Sequence, residues 1–205
     1  MHIGLDFDNT IVSYDTLFHK LAVEGGWITE SVPISKLKVR DQLCSNGQES
    51  VWTEMQGYVY GRRMDEAIAY PGVVQCLSWA RSNDIPVSIV SHKTRHPFMG
   101  IQYDLHAAAR NWIDQHLTDD AGPLVAPDRV YFEPTKEEKV KRITDIGCTV
   151  YVDDLPIIFL SPGFPRSANR LLFDPDGHHH SQILPRVMCW ADVRSQLESL
   201  WRQKN

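Results

Sequence analysis

The sequence predicts an α/β fold around a parallel sheet, and three observations carry that reading. Five short runs, Met1–Phe7, Val87–Val90, Val130–Phe132, Thr149–Val152 and Leu171–Phe173, are β-branched or aromatic and almost free of charge, as strands covered on both faces are. Helical patterns lie between most of them, so strand and helix alternate over short links, which implies βαβ units with right-handed crossovers. The 205 residues, 42% hydrophobic and 23% charged, suffice for one sizeable core or for a core carrying a smaller insert. They exclude wholesale disorder, collagen-like repeats and a coiled-coil rod.

Taken in order, Ile3 and Leu5 form a buried strand in which Gly4 allows close approach, and the run ends in acid at Asp6. Ser13 to Tyr70 holds no further clear strand. It offers helical fragments at Leu17–Val23 and Val51–Ile68, parted by a Gly-, Pro- and Ser-rich middle from Gly25 to Gly47, and reads as a helical insertion. After Pro71-Gly72, the residues Val73, Val74, Leu77, Trp79 and Ala80 mark a helix. Thr94 to Tyr103, with Arg95, His96, Pro97 and Phe98, has no regular pattern and reads either as a rim loop touching a ligand or as an ordinary surface loop. Leu105–Leu117 gives a helix with Ala108, Trp112, Ile113 and His116 at helical spacing. Thr135–Ile146 gives another: Thr135 and Glu138 form a capping box, Val140, Ile143 and Ile146 the buried stripe, and Gly147 the stop. A last helix runs from Ala191 to Trp201, and the tract His178-His179-His180 before it reads as a solvated loop.

The 21 basic residues against 26 acidic ones give a net charge of −5, so neither nucleic acid nor an anionic membrane is expected as the main partner. Cys44, Cys76, Cys148 and Cys189 are scattered without a CxxC pair, and the N-terminal apolar run breaks at Asp6 and Asp8. Reduced thiols, no signal peptide and a cytoplasmic location are expected. No apolar stretch approaches the roughly 20 residues that span a bilayer.

Chemistry gathers at four element boundaries. Asp6-Phe7-Asp8-Asn9-Thr10 closes the first strand, and two carboxylates two residues apart point to one side. Their mutual repulsion calls for a cation or a shared proton, and ligands in open α/β sheets bind beyond the carboxyl ends of strands. Ser91, in Ile89-Val90-Ser91-His92-Lys93, offers a hydroxyl and free amides at a strand end. Lys136 stands at the first helical position after Thr135, where the helix dipole disfavours a cation. Lys139 is the alternative one turn on. Asp153-Asp154, after Tyr151-Val152, adds an acidic pair whose oxygens suit Mg²⁺.

In this order, Asp6-x-Asp8, Ser91, Lys136 and Asp153-Asp154 resemble the four motifs of the haloacid dehalogenase (HAD) superfamily of phosphohydrolases. Tyr70-Pro71-Gly72-Val73-Val74, Leu77 and Ile85-Pro86-Val87 resemble that family's approach to its second motif. The likeness covers about 1–13 and 70–175. It implies a Rossmann-like three-layer α/β/α core at 1–13 and 71–205, with residues 14–70 as a small helical cap. It further implies a Mg²⁺-dependent phosphatase of a small phosphorylated metabolite. Asp6 is then the nucleophile, Asp8 the general acid and base, Ser91 and Lys136 the phosphoryl contacts, and Asp6, Asp153 and the Asp8 backbone carbonyl the metal ligands, with Asp154 beside them. Tyr14, Phe18, His19, Trp27, Trp52, Tyr58, Arg62 and Arg63 are the cap's candidate substrate contacts. Phosphoryl transfer to an acceptor other than water, and a catalytically silent binding protein of the same fold, stay open. A dehalogenase has no use for Asp8, and a receiver-type signalling module would place its acidic pair first.

Overall fold

A computed structural model describes residues 1–180 and 183–203. The chain begins with β1 (Ile3–Leu5) and turns through Asn9, whose φ of 59° lies in the left-handed region that Asn tolerates, into β2 (Val12–Ser13). Three helices follow, α1 (Asp15–Glu24), α2 (Lys36–Ser45) and α3 (Glu49–Gly61), before β3 (Ile68–Ala69) pairs antiparallel with β2. The helical segment therefore leaves and re-enters the sheet through one two-stranded base. Then come α4 (Val73–Ser82), β4 (Val87–His92), α5 (Leu105–His116) and the small pair β5 (Thr118–Asp119) and β6 (Gly122–Pro123). The chain ends with β7 (Val130–Glu133), α6 (Lys136–Asp145), β8 (Val150–Asp153), α7 (Pro156–Leu160), β9 (Asn169–Phe173), β10 (Arg186–Val187) and α8 (Trp190–Arg202).

Among the described residues, six strands form one parallel sheet in the order β10-β9-β8-β1-β4-β7. The period-two alternation of each strand sorts its side chains onto two faces. Val87 and Ile89, Val150 and Val152, and Leu171 and Phe173 join a core with α4, α5 and α8, and the residues between, Tyr151 and Leu172, join a second core with α6 and α7. The layers are thus helix, sheet, helix. Gly4 sits where a Cβ would lie 2.5 Å from the Tyr151 ring and 2.6 Å from Cys148 Sγ, the close approach its place in the strand predicts.

The Gly-, Pro- and Ser-rich middle of the insertion departs from expectation, because it contains α2. Ser35 caps that helix by accepting from Lys38 N, Asp15 of α1 accepts from Lys36 N at 2.6 Å, and Val39 and Leu43 bury its inner face. The Thr135 cap holds as predicted: its hydroxyl accepts from Glu138 N at 3.1 Å.

Candidate active site

The register places the functional groups together. Leu5 is paired with Ile89 on one side and Val152 on the other, so Asp6, Ser91 and Asp153 all emerge at the carboxyl edge of three adjacent strands. Asp6 is buried, and its Oδ1 accepts from Ser91 Oγ at 2.8 Å and from Lys139 Nζ at 2.5 Å. Lys139 Nζ also lies 2.7 Å from Asp153 Oδ2. Burial disfavours the charge on Lys139, but Asp153 and Asp6 outweigh it and hold its proton more tightly than usual.

Lys139, not Lys136, is therefore the lysine brought to the aspartates. Lys136 is the first residue of α6 and is exposed. The reason is directional. Helical side chains lean back toward the N-terminus, so a residue at the first position leans past the helix end, whereas one a turn further in reaches the mouth. Lys139 also shares the buried face of α6 with Val140 and Ile143.

Asp8 is held by Lys93, which the sequence reading did not select, and by Tyr14, which it placed among the cap's candidate substrate contacts. Lys93 Nζ, 3% exposed with the rest of its side chain, donates to both carboxylate oxygens at 3.0 and 2.8 Å, and Tyr14 OH donates to Oδ1 at 2.5 Å. Burial alone would push the Asp8 carboxyl up, but Lys93, Tyr14 and Lys36 outweigh it and hold it below the ordinary range. The signal for Lys93 was present. It stands two residues after Ser91, on the same side of an extended chain, and its N donates to Glu133 O at 2.9 Å so the ladder continues through it.

Asp6, Asp153 and Asp154 each place a carboxylate oxygen within 4.8 Å of the others. Asp153 Oδ1 accepts from Leu155 N at 2.8 Å, while the buried Oδ2 faces the Lys139 ammonium. Burial, with repulsion from Asp6 set against attraction to Lys139, pushes Asp153 up to about 7. Burial and the neighbouring carboxylates push Asp154 well above the ordinary carboxyl range. Three acids facing one ammonium, with carboxylate oxygens this close together, fit a divalent cation of the Mg²⁺ kind. Asp154 N donates to Thr10 Oγ1 at 3.1 Å, and Trp190 Nε1 donates to Thr10 O at 2.9 Å, so the first residue of α8 braces the Asp6–Asp8 loop.

Two hollows flank the insertion. The smaller, 240 Å³, opens beside Asn9 and Asp154 and is lined by Lys36, Arg40, Trp52 and Tyr70 among others. The larger, 450 Å³, lies between α1, α3 and the 97–103 segment and contains none of the aspartates. The Thr94–Tyr103 loop rims this larger hollow, packing on α3 where Gly57 and Gly61 leave no side chain between them and Pro97 and Tyr103. Of the candidate contacts in the insertion, Tyr14 reaches Asp8, while Phe18 and Trp52 pack together at 4.9 Å between ring centres. His19 instead bonds Val32 O at 2.8 Å, Trp27, Tyr58 and Arg63 line the larger hollow, and Arg62 is exposed. The His178–His180 tract wraps Asp174, which accepts from the backbone N of His178 and His179.

A parallel sheet that gathers its carboxylates at adjacent strand ends, with a helical segment after the first strand, has the fold of the HAD-superfamily hydrolases. Solved structures with this fold include a HAD-superfamily hydrolase from Ehrlichia chaffeensis, with 13% identity and a TM-score of 0.54 over 97% of this chain and 96% of that one. A HAD family hydrolase from Deinococcus radiodurans R1, with bound phosphate and sodium, gives 14% and 0.57 over 97% and 95%. A phosphoserine phosphohydrolase-like protein from Francisella tularensis gives 10% and 0.57 over 96% and 99%. At such identities the likeness is one of fold. No protein-family model matches the chain, and no curated protein matches its sequence. No helix among the described residues is long and apolar enough to cross a membrane.

Proposed function

We propose that the chain is a Mg²⁺-dependent phosphoric monoester hydrolase that acts on a small phosphorylated metabolite through an aspartyl-phosphate. The observation that carries this is the buried Asp6 carboxylate, whose Oδ1 is held by Ser91 and Lys139 next to the Asp153–Asp154 pair. A phosphate ester and a carboxylate repel each other, so attack requires cations placed beforehand. Lys139 is one. Asp6, Asp153, Asp154 and the backbone carbonyl of Asp8 would hold Mg²⁺, which supplies further positive charge to the phosphoryl oxygens when bound.

Asp6 attacks phosphorus as the bond to the leaving oxygen breaks, and Asp8 delivers a proton to that oxygen. Asp8 then takes a proton from water as the water oxygen attacks the aspartyl-phosphate, releasing phosphate and restoring Asp6. The phosphoryl group arriving beside Asp8 raises its proton affinity, while Lys93 lowers it; the balance lets one carboxyl serve both steps. Lys139 takes the phosphoryl contact first assigned to Lys136, and Ser91 orients a phosphoryl oxygen. Residues 14–70 act as a cap over a core of 1–13 and 71–205, excluding water and supplying substrate contacts.

The test is steady-state hydrolysis of an aryl phosphate. The wild-type protein should turn over with Mg²⁺ and fall silent under exhaustive chelation. Asp6→Asn should abolish turnover with the fold intact by circular dichroism. Retention of more than about a hundredth of the wild-type rate would point to another nucleophile.

A further inference from the structure

We propose that the 240 Å³ hollow beside Asp154 is an anion subsite for the leaving group, built on Lys36 and Arg40, and that the preferred substrate is a small phosphate monoester carrying a second anionic group such as a carboxylate. The inference rests on the phosphatase reading and names its substrate class.

Lys36 is the first residue of α2, held in place by the bond from its own N to Asp15 Oδ1 at 2.6 Å. Its ammonium stands over the rings of Tyr14, Phe18 and Tyr60, at 5.8, 5.6 and 5.5 Å from their centres. Its side-chain acceptors are neutral, Asn9 Oδ1 at 3.1 Å and the Tyr60 hydroxyl, and Lys36 forms no ion pair among the described residues. Asp8 and Asp154 act on this ammonium only from beyond ion-pair distance, so a cation drawn into an aromatic cage keeps a place for an anion in direct contact. Arg40, one turn on and so on the same face of α2, lines the same hollow and likewise forms no ion pair among the described residues.

The acids of the hollow are otherwise engaged. Asp15 accepts from Lys36 N, Asp176 lies 3.7 Å from His178 Nε2, and Asp154 belongs to the carboxylate group around Asp6. Lys36 and Arg40 are the cations of the lining, and neither is in ion-pair contact with these acids. Trp52, Leu37 and Tyr70 supply apolar wall. The volume is below the ~300–1,000 Å³ usual for ligand sites, so it takes a leaving group of few atoms.

Two readouts separate this subsite from the chemistry. The first is calorimetric binding, with the metal present, of phosphonoacetate against methylphosphonate, neither of which can be hydrolysed as an ester. The wild-type protein should bind phosphonoacetate at least tenfold more tightly. Lys36→Met should bring the two within about twofold, while Lys38→Met, which removes an exposed cation from the same helix outside the hollow, should keep the preference. If Lys36→Met fails to fold, Arg40→Met should lower the preference about threefold. The second readout is the kcat/KM ratio for 4-carboxyphenyl phosphate over phenyl phosphate, expected to fall about tenfold in Lys36→Met. Equal affinity for the two phosphonates, a preference that survives Lys36→Met, or equal losses on both esters would overturn the subsite. Failure of the wild type to hydrolyse either ester would instead overturn the phosphatase reading, with the phosphonate comparison still deciding the subsite.

Discussion

At the scale of single residues, lysines decide how the site works. Asp6, Asp8, Ser91 and Asp153 are legible in the sequence because each ends or follows a short apolar strand, and position along a strand fixes position in space. Lys139 stands in the sequence only as the alternative to Lys136, and Lys93 and Lys36 are not singled out, because a lysine's long stem lets its charge act far from its own Cα. Lys139 looks like one of several lysines on a charged helix, yet it is 1% exposed and bonded to Asp6. Lys139→Met should therefore cost about a hundredfold or more in kcat, the scale of losing one preorganised donor. Lys136→Met, at an exposed position, should leave turnover within about twofold. Lys93 makes a separate prediction. It holds Asp8 below the ordinary carboxyl range, so Lys93→Met removes the main cause of that depression and raises the Asp8 pKa. The acid limb of the pH–kcat profile, which reports loss of the base form, should move to higher pH. An unmoved limb would disconnect Asp8 from the titration.

At the scale of elements, the strands are legible because burial on both faces leaves uninterrupted apolar runs, and α4, α5, α6 and α8 because their stripes are long. Helix α2 is hidden for the opposite reason. Only Val39 and Leu43 of its ten residues are buried, and its helicity depends on packing against α1 and α3 rather than on its own pattern. Helix α7 has five residues opened by Pro156, and β10 has two, too few for any period to show. Where the sequence did speak, the geometry is tight. Gly4→Ala would drive a methyl into the Tyr151 ring and Cys148 in the middle of the sheet. Overpacking of that kind costs about 1–3 kcal/mol. At about 2–4 °C per kcal/mol for a chain of this size, the melting temperature should drop by several degrees. A Gly4→Ala protein that melts with the wild type would mean that the sheet there yields more easily than its contacts imply.

At the scale of the whole molecule, the half-buried His2 and the buried Asp153 set opposite pH trends in stability. His2, bonded to Ile146 O and Ser88 Oγ, has its pKa lowered by burial, so the unfolded chain binds more protons as pH falls below about 6.5. Its contribution is present above that pH and lost below it. Asp153 works the other way. Its carboxyl is raised from 3.8 to about 7, so between those values the folded protein holds a proton that the unfolded chain has released. The stability it contributes is present below pH ~4 and is lost as pH rises through ~7. The acidic pair is legible in the sequence, but this proton store is not, because it arises from burial in the assembled sheet. A cation binding among Asp6, Asp153 and Asp154 must displace those protons. The rise in melting temperature produced by a fixed excess of Mg²⁺ should therefore be larger at pH 8 than at pH 5.5. Calorimetry in two buffers of different ionisation enthalpy should register proton release on binding near pH 7. Asp153→Asn, which cannot release that proton, should bind Mg²⁺ more weakly and flatten the pH dependence of the shift. A Mg²⁺ shift of the same size at both pH values, with no proton released, would place the ion somewhere other than on these carboxylates.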